Sequence, residues 1–252
     1  MIGKATSEAV TALGLERQVG QLDEVGYAVI EDLDAELCTR LRSDVLEHGA
    51  SQMLLRRDPV FAEAVLAPPV LALVEHVVGR GALISQVTAS IRSEGSPALP
   101  LHSDQNWMPA PFPEQSYMIT VCWILDDFTE AGGATKVVPG SQRHRRHPDA
   151  AEIAAADAAV PIEAPAGSVA LWDGAVWHGN YPRTAPGERV VLHVTYCRLA
   201  MRPIEDYRAE ADALIAAHGE TMAGLLGRHD ALGGPNGFDW TKLVDTFAMG
   251  RS

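Results

Sequence analysis

The chain has 252 residues, of which 47% are hydrophobic, and carries a formal net charge of −13. That length allows a sizeable core in one domain, and the acidic balance argues against a nucleic-acid-binding surface, which is basic. Three cysteines without CxxC spacing predict free thiols and a cytoplasmic protein. With no apolar leader and no long apolar run, we expect neither a signal peptide nor a membrane span.

The N-terminal third is predicted to be mostly helical. Apolar residues recur there at helical spacing, and Asp34 and Asp58 stand where N-caps are expected. Asp58 is followed by Pro59, and proline is favoured in the first turn of a helix. The predicted helices cover residues 6–25, 35–48, 58–66 and 68–79, with a short strand at 26–30.

Short β-prone segments between Gly and Pro turns follow, at residues 83–91, 117–125, 135–138, 167–172 and 189–198. This pattern predicts a mainly β fold with flanking helices, built on an antiparallel barrel or double-sheet jelly roll. We expect a single domain over residues 1–252. Its helices within 1–80 would pack on a β-core at 82–200, and a helical tail would follow at 204–252.

The sequence His102-Ser103-Asp104 is the first candidate for chemistry. Residues i and i+2 of a strand point to the same face, so a strand ending here would direct His102 and Asp104 into one space. An imidazole and a carboxylate are two of the three ligands in the 2-His-1-carboxylate triad of non-haem Fe(II) sites.

His178 is the candidate third ligand, because it follows a strand-like segment. Arg189 comes 11 residues later, across a predicted turn, at the start of another strand. Arginine can grip a carboxylate through two parallel hydrogen bonds, so this pair fits a metal-bound dicarboxylate. The other histidines are expected on helices or in a charged loop: His48, His76, His218, His229, His144 and His147.

With these spacings the chain resembles the phytanoyl-CoA dioxygenase family of Fe(II)/2-oxoglutarate oxygenases. Residues 26–30 resemble the N-terminal strand of the family. Residues 132–141, GGATKVVPGS, resemble its Gly-Gly turn, with Gln142 where histidine is common. Trp123 falls where the family has an aromatic residue beside 2-oxoglutarate. The likeness extends over about residues 21–198.

The resemblance implies a double-stranded β-helix, related to the cupins, with iron held by His102, Asp104 and His178. Arg189 and Asn180 would bind the far carboxylate of 2-oxoglutarate. The implied activity oxidises an aliphatic C–H bond of a small molecule, such as a secondary metabolite, using O2 and releasing succinate and CO2. Related halogenases lack the carboxylate ligand, so the presence of Asp104 disfavours halogenation.

Strand alternation extends the predicted site. If Arg189 points inward, Val191, His193 and Thr195 do so as well. The sequence before the motif places Gln86, Thr88, Ser90 and Arg92 on one unusually polar face, which we expect to line the site, with Gln86 near the cosubstrate. Arg92 and His193 are therefore candidate substrate contacts. Trp107 and Met108 follow the metal motif in a Pro-rich loop and are expected to wall the substrate pocket. Core or loop packing is the alternative for each of the four. The basic cluster 143–147 could recognise an anionic group or could simply be solvated.

Two other functions fit part of this pattern. A zinc hydrolase could use the same His/Asp/His ligands, but it gives Arg189 no role. A non-catalytic member of the fold would not need an intact ligand set. The identity of the substrate, the type of oxidation and the oligomeric state are open from the sequence, because substrate pockets are built from variable loops.

Overall fold

The computed structural model describes residues 4–228, 233–234 and 237–238. Its α-helices are α1 (Lys4–Ala12), α2 (Glu16–Val25), α3 (Ala35–His48), α4 (Pro59–Val65), α5 (Pro68–Val78), α6 (Ala150–Ala155) and α7 (Ala211–Leu225). Short 3-10 helices lie at Leu54–Arg56 and Ser141–His144. The predicted helical tail contains α7, whereas His229 and the rest of that tail lie outside the described residues, apart from two short strands.

The two predicted N-caps are confirmed. The Asp34 carboxylate accepts a hydrogen bond of 2.8 Å from the Leu37 N–H at the start of α3. The Asp58 carboxylate accepts one of 2.8 Å from the Val60 N–H, beside Pro59 in the first turn of α4. Each cap satisfies a backbone donor that has no partner within its own helix.

Two antiparallel sheets form the β-core. The strands are β1 (Tyr27–Ile30), β2 (Leu83–Ser93), β3 (Leu99–His102), β4 (Met118–Ile124), β5 (Thr135–Val137), β6 (Val160–Pro161), β7 (Val169–Asp173), β8 (His178–Asn180), β9 (Glu188–Cys197), β10 (Gly233–Gly234) and β11 (Gly237–Phe238). The large sheet has the order β1-β7-β4-β9-β2, and the small sheet the order β3-β8-β5-β6. Within the described part of the chain, strands β10 and β11 pair with each other. The mainly β architecture with flanking helices is as predicted.

Alternate residues of the large sheet enter two different cores. One core lies between this sheet and helices α3, α4 and α5, and it includes Val121 and Trp123 of β4. The other lies between the two sheets and includes Cys122 and Ile124. The expectation that Trp123 stands beside 2-oxoglutarate is therefore wrong, because its side chain is on the helix-facing side of β4.

All three cysteines are free, as predicted, and the structure buries each of them. None of the described helices combines the length and the apolar composition of a membrane span. Helices α4 and α5 reach that length and composition only when taken together, and they are bent by 53° where they meet. Most of their apolar side chains belong to the core between the helices and the large sheet.

Candidate metal centre

Three side chains from distant parts of the chain converge between the sheets. His102 is the last residue of β3, Asp104 follows two residues later, and His178 opens the neighbouring strand β8. The Asp104 Oδ1 atom lies 3.4 Å from Nε2 of His178 and 3.8 Å from Nε2 of His102. One ligand atom from each residue can be chosen so that all three lie within 4.8 Å of one another. This is the spacing of groups that share one metal ion.

Backbone carbonyls fix the orientation of both imidazoles. His102 Nδ1 lies 3.0 Å from the Pro100 carbonyl oxygen, and His178 Nδ1 lies 3.1 Å from that of Val176. A carbonyl can only accept, so each Nδ1 carries the proton and each Nε2 keeps its lone pair for a metal. The two rings are 4.4 Å apart, centroid to centroid, and their Nε2 atoms face the same carboxylate oxygen.

Asp104 is held through its other oxygen. Oδ2 accepts a hydrogen bond of 2.7 Å from the Thr120 hydroxyl and one of 3.1 Å from the indole N–H of Trp172. Both donors come from inward positions of the large sheet, so this sheet orients a ligand that follows the small sheet. These two hydrogen bonds direct Oδ1 toward the two histidines. Hydrogen bonds to a ligand orient it in the same way in known metal sites.

The Asp104 carboxylate is ionised at neutral pH. Burial alone would raise the pKa of Asp104, but His178 and the Thr120 hydrogen bond outweigh it, and the pKa lies well below its ordinary value. Burial and the neighbouring His178 lower the pKa of His102. Burial also opposes protonation of His178, but Asp104 raises its pKa overall. The arrangement therefore offers an anionic oxygen to any cation bound between the rings.

Strand β9 presents its alternate residues to this site, as predicted. Val190, Leu192, Val194 and Tyr196 belong to the helix-facing core, whereas Val191 belongs to the core between the sheets. Arg189, His193 and Thr195 share the face of Val191. Thr195 lies 3.4 Å from the Thr120 hydroxyl, and the His193 ring centre lies 6.0 Å from that of Trp172. Burial, followed by the charge of Arg189, lowers the pKa of His193 to about 4.

Arg189 is a buried cation with no carboxylate of the described residues at ion-pair distance, and the charge of Asp126, which pairs with Arg42, acts on it from farther away. Its side chain is 2% exposed, Nη1 donates to the Gly133 carbonyl, and the guanidinium lies 4.7 Å from the centre of the Phe128 ring. Nε has no hydrogen-bond partner. Burial lowers its pKa to about 10, so it is still charged at neutral pH. A buried charge is costly unless it is paired, and this one is available to an anion.

Two further predicted cosubstrate contacts lie on the inner surface. Asn180 is two residues past His178 on β8, and its amide donates to the Thr135 hydroxyl over 3.4 Å. Gln86 of β2 is paired with Thr195 of β9, and directly opposed residues share one side of a sheet. By the same pairing Thr88, Ser90 and Arg92 oppose His193, Val191 and Arg189, so the predicted polar face does line the space between the sheets.

The predicted substrate contacts occupy different environments. Trp107 is 63% exposed just beyond the metal motif, and Met108 is partly exposed next to it. Arg92 donates to the backbone carbonyls of Pro97 and Tyr181. Whether these residues and His193 touch a substrate stays a prediction.

The basic cluster at 143–147 is largely occupied by internal contacts. Arg143 donates to the Glu24 carbonyl, and Arg146 forms two hydrogen bonds with Glu152, of 2.7 and 2.8 Å. Arg145 donates to the Phe112 carbonyl. These contacts connect the cluster to α2, α6 and the loop at Phe112. Recognition of an anionic group by the cluster stays a prediction.

Sequence reasoning missed several residues of the inner surface. Thr120 and Trp172 hold Asp104, Cys122 lies opposite His193, and Leu99 is paired with Asn180. Thr120 alone carries a sequence signal, as a polar residue in an otherwise apolar strand. Hydrogen-bond donors that lie 16 and 68 residues from Asp104 in the chain cannot be identified from local spacing.

Comparisons with known proteins agree with this geometry. A family model described as phytanoyl-CoA dioxygenase (PhyH) matches residues 22–191. Dioxygenase af480 of Aspergillus fumigatus is 32% identical over 155 residues, which are 61% of this chain and 50% of that protein. The chain therefore spans about half the length of this fungal relative.

Solved structures show the same fold. HygX from Streptomyces hygroscopicus with nickel and 2-oxoglutarate bound is 20% identical, with a TM-score of 0.65 over 74% of this chain and 88% of its own. The non-heme alpha ketoglutarate dependent epimerase SnoN from nogalamycin biosynthesis is 18% identical, with a TM-score of 0.63 over 77% of this chain and 87% of its own. The predicted jelly-roll core is confirmed.

Proposed function

This chain belongs to the phytanoyl-CoA dioxygenase family, and on that premise we propose that it is an Fe(II)- and 2-oxoglutarate-dependent oxygenase acting on a small molecule. The donor set fits such a metal, since two neutral imidazoles and one carboxylate converge and leave coordination positions open. When bound, Fe(II) with 2-oxoglutarate and O2 supplies the oxidation of a C–H bond, with release of succinate and CO2.

The chain's own residues then have defined tasks. His102, Asp104 and His178 would hold the metal, with their orientation set by backbone carbonyls and the large sheet. Arg189 would bind the far carboxylate of 2-oxoglutarate through the edge of its guanidinium not used by Gly133. Asn180 would add a hydrogen bond at the same end, where Thr135 already holds its amide.

One observation carries the proposal: a buried arginine without an acidic partner lies on the inward face of β9, the face that also carries His193 and Thr195 beside the metal ligands. A zinc hydrolase would need the three ligands but leaves this charge unexplained. Among the described residues no carboxylate comes within 4.0 Å of the guanidinium, although Arg40, Arg42, Arg56 and Arg57 each have such a partner. A dicarboxylate cosubstrate accounts for the charge and the metal site together.

We place the substrate at the mouth between β2 and β3, the edge strands of the two sheets. The β2 side is polar, with Gln86, Thr88 and Ser90 in line and Arg92 at the end of the row. The β3 side is apolar, with Leu99 exposed by 43% and Trp107 by 63%. Such a mouth suits an amphipathic molecule, apolar on one side and rich in hydrogen-bonding groups on the other. HygX with hygromycin B bound and SnoN with nogalamycin RO are consistent with a small-molecule substrate.

We further propose that the protein works in the cytoplasm, without nucleic acid or membrane as a partner. Three buried thiols that form no disulfide suit a reducing compartment. The net charge of −13 would repel a polyanion.

Anaerobic titration examines the proposed cosubstrate site before any substrate is known. Addition of 2-oxoglutarate to the Fe(II)-loaded protein should give a weak visible absorption band from chelation of the metal, and the Zn(II)-loaded protein should give none. A hydrolase would instead cleave esters or amides with Zn(II) and show no dependence on 2-oxoglutarate. Absence of the band in protein shown to contain Fe(II) would contradict the proposal.

A further inference from the structure

Between two positions at which β3 and β8 are paired, β3 contains one residue more than β8. Leu99 is paired with Asn180 and His102 with His178, so three steps along β3 match two steps along β8. The register shift is a β-bulge at Pro100 and Leu101. In a regular strand, Leu99 and His102 would point to opposite faces, and the bulge turns both toward the space between the sheets.

Gly179 lies directly across from this bulge, between the two paired residues of β8. A Cβ atom at Gly179 would collide with the Leu99 carbonyl oxygen and come within 2.9 Å of the Pro100 carbonyl oxygen. Both obstacles are backbone atoms, so no side-chain rotation can relieve the contact. Any side chain at Gly179 would therefore push β3 away from β8.

The Pro100 carbonyl has a second role, because it accepts the hydrogen bond from Nδ1 of His102. The two other ligands are fixed elsewhere: His178 by Val176, and Asp104 by Thr120 and Trp172. Displacement of β3 would thus misdirect one ligand and leave two in place.

We propose that Gly179 is a positioning residue for the metal site, acting through the Pro100 carbonyl on His102. Its missing side chain lets β3 approach closely enough for the bulge to form and for the Nε2 atom of His102 to face Asp104. The inference rests on the proposed metal centre, but it concerns metal affinity and not turnover.

Calorimetric titration with Ni(II), without 2-oxoglutarate, measures this effect in the full-length protein. Gly179→Ala should weaken Ni(II) binding by about 10- to 100-fold. This is the range found when a metal ligand loses the hydrogen bond that orients it. His102→Ala should weaken it by as much or more. The double variant should bind no more weakly than His102→Ala, because the two changes act on one ligand.

Two control variants separate positioning from general destabilisation. Gly20→Ala adds a methyl group in α2 where no atom lies within 4 Å, so it should leave Ni(II) affinity unchanged. Val70→Ala removes buried methyl groups from α5 and should lower thermal stability without changing Ni(II) affinity. Should Gly179→Ala not fold, deletion of Pro100 removes the bulge without adding an atom at position 179, and it should weaken Ni(II) binding to the same extent.

Wild-type affinity in Gly179→Ala or in the Pro100 deletion would overturn the inference. A further loss of affinity when Gly179→Ala is added to His102→Ala would also overturn it, since the glycine would then act on more than His102. The proposed function fails separately: wild type that binds Ni(II) tightly but never consumes 2-oxoglutarate with Fe(II) and O2 would refute the oxygenase and leave the role of Gly179 intact.

Discussion

Replacement of Arg189 by methionine gives the sharpest prediction for the cosubstrate site. The Gly133 carbonyl occupies only Nη1, and neither Nε nor Nη2 makes a hydrogen bond to another described residue. The Nε–Nη2 edge can therefore donate two parallel hydrogen bonds to one carboxylate. Methionine keeps much of the apolar stem against Phe128 but removes both donors and the charge.

The magnitude follows from those two donors. A hydrogen bond to a charged group contributes about 1.5–3 kcal/mol, so the pair contributes about 3–6 kcal/mol. At about 1.4 kcal/mol per factor of ten, Arg189→Met should weaken 2-oxoglutarate binding by about 100- to 10,000-fold. The free energy of unfolding of the free protein should change by no more than about 2 kcal/mol, because the lost Gly133 contact is offset by removal of a buried charge.

Calorimetric titration of 2-oxoglutarate into Ni(II)-loaded protein measures the binding loss. Arg183→Met is a matched control, since Arg183 is also buried but donates to the carbonyls of Gly132, Pro186 and Gly187. That variant should lose stability and keep its affinity for 2-oxoglutarate. If Arg189→Met bound 2-oxoglutarate within a factor of about 3 of wild type, less than 1 kcal/mol, the assignment of Arg189 would be refuted.

Three further variants address other parts of the structure. Thr120→Val removes the 2.7 Å hydrogen bond to Asp104 and should weaken Ni(II) binding about 10- to 100-fold, and unchanged affinity would show that Trp172 alone orients the carboxylate. Glu205 accepts hydrogen bonds from the Met53 and Val87 N–H groups and from the Tyr207 hydroxyl. Glu205→Gln should therefore lower the free energy of urea unfolding by about 1–3 kcal/mol without changing Ni(II) affinity, and equal stability would contradict this role. The pKa of His193 falls from 6.5 to about 4 on folding. The unfolded chain thus binds more protons between those values, and stability of the metal-free protein should fall as pH drops through that window. His193→Gln should make this fall shallower, and an identical pH profile would argue against a neutral His193 in the folded protein.

The sequence was sufficient for the parts of the site that local rules determine. His102 and Asp104 are two residues apart, so strand geometry alone brings them to one side. His178 and Arg189 follow from the resemblance and the turn between them. The inward direction of His193 and Thr195 then follows from Arg189 by alternation, and the large sheet has that arrangement.

The error at Trp123 has a physical cause. Every residue of β4 is buried, because helices cover one face of the large sheet and the small sheet covers the other. Without alternation between polar and apolar residues, such a strand gives no indication of which side chains face inward. The contact between Thr120 and Asp104 shows which side chains of β4 point inward. Alternation from Thr120 then places Cys122 rather than Trp123 between the sheets.

Leu99 was missed for a different reason. Counting back from His102 by twos assigns Leu99 to the outer face, whereas the bulge at Pro100 and Leu101 turns it inward. A bulge depends on the partner strand, here on the absence of a side chain at Gly179, which lies almost 80 residues away in the chain. No pattern within residues 95–102 alone could have revealed it.

The most direct measurement of the central claim is the amount of succinate formed by purified protein supplied with Fe(II), 2-oxoglutarate and O2. The account predicts slow succinate formation even without a substrate, dependent on Fe(II), and abolished in Asp104→Ala, which lacks the anionic ligand. It would be contradicted if wild-type protein with Fe(II) bound consumed no 2-oxoglutarate, or if Asp104→Ala formed succinate at the wild-type rate.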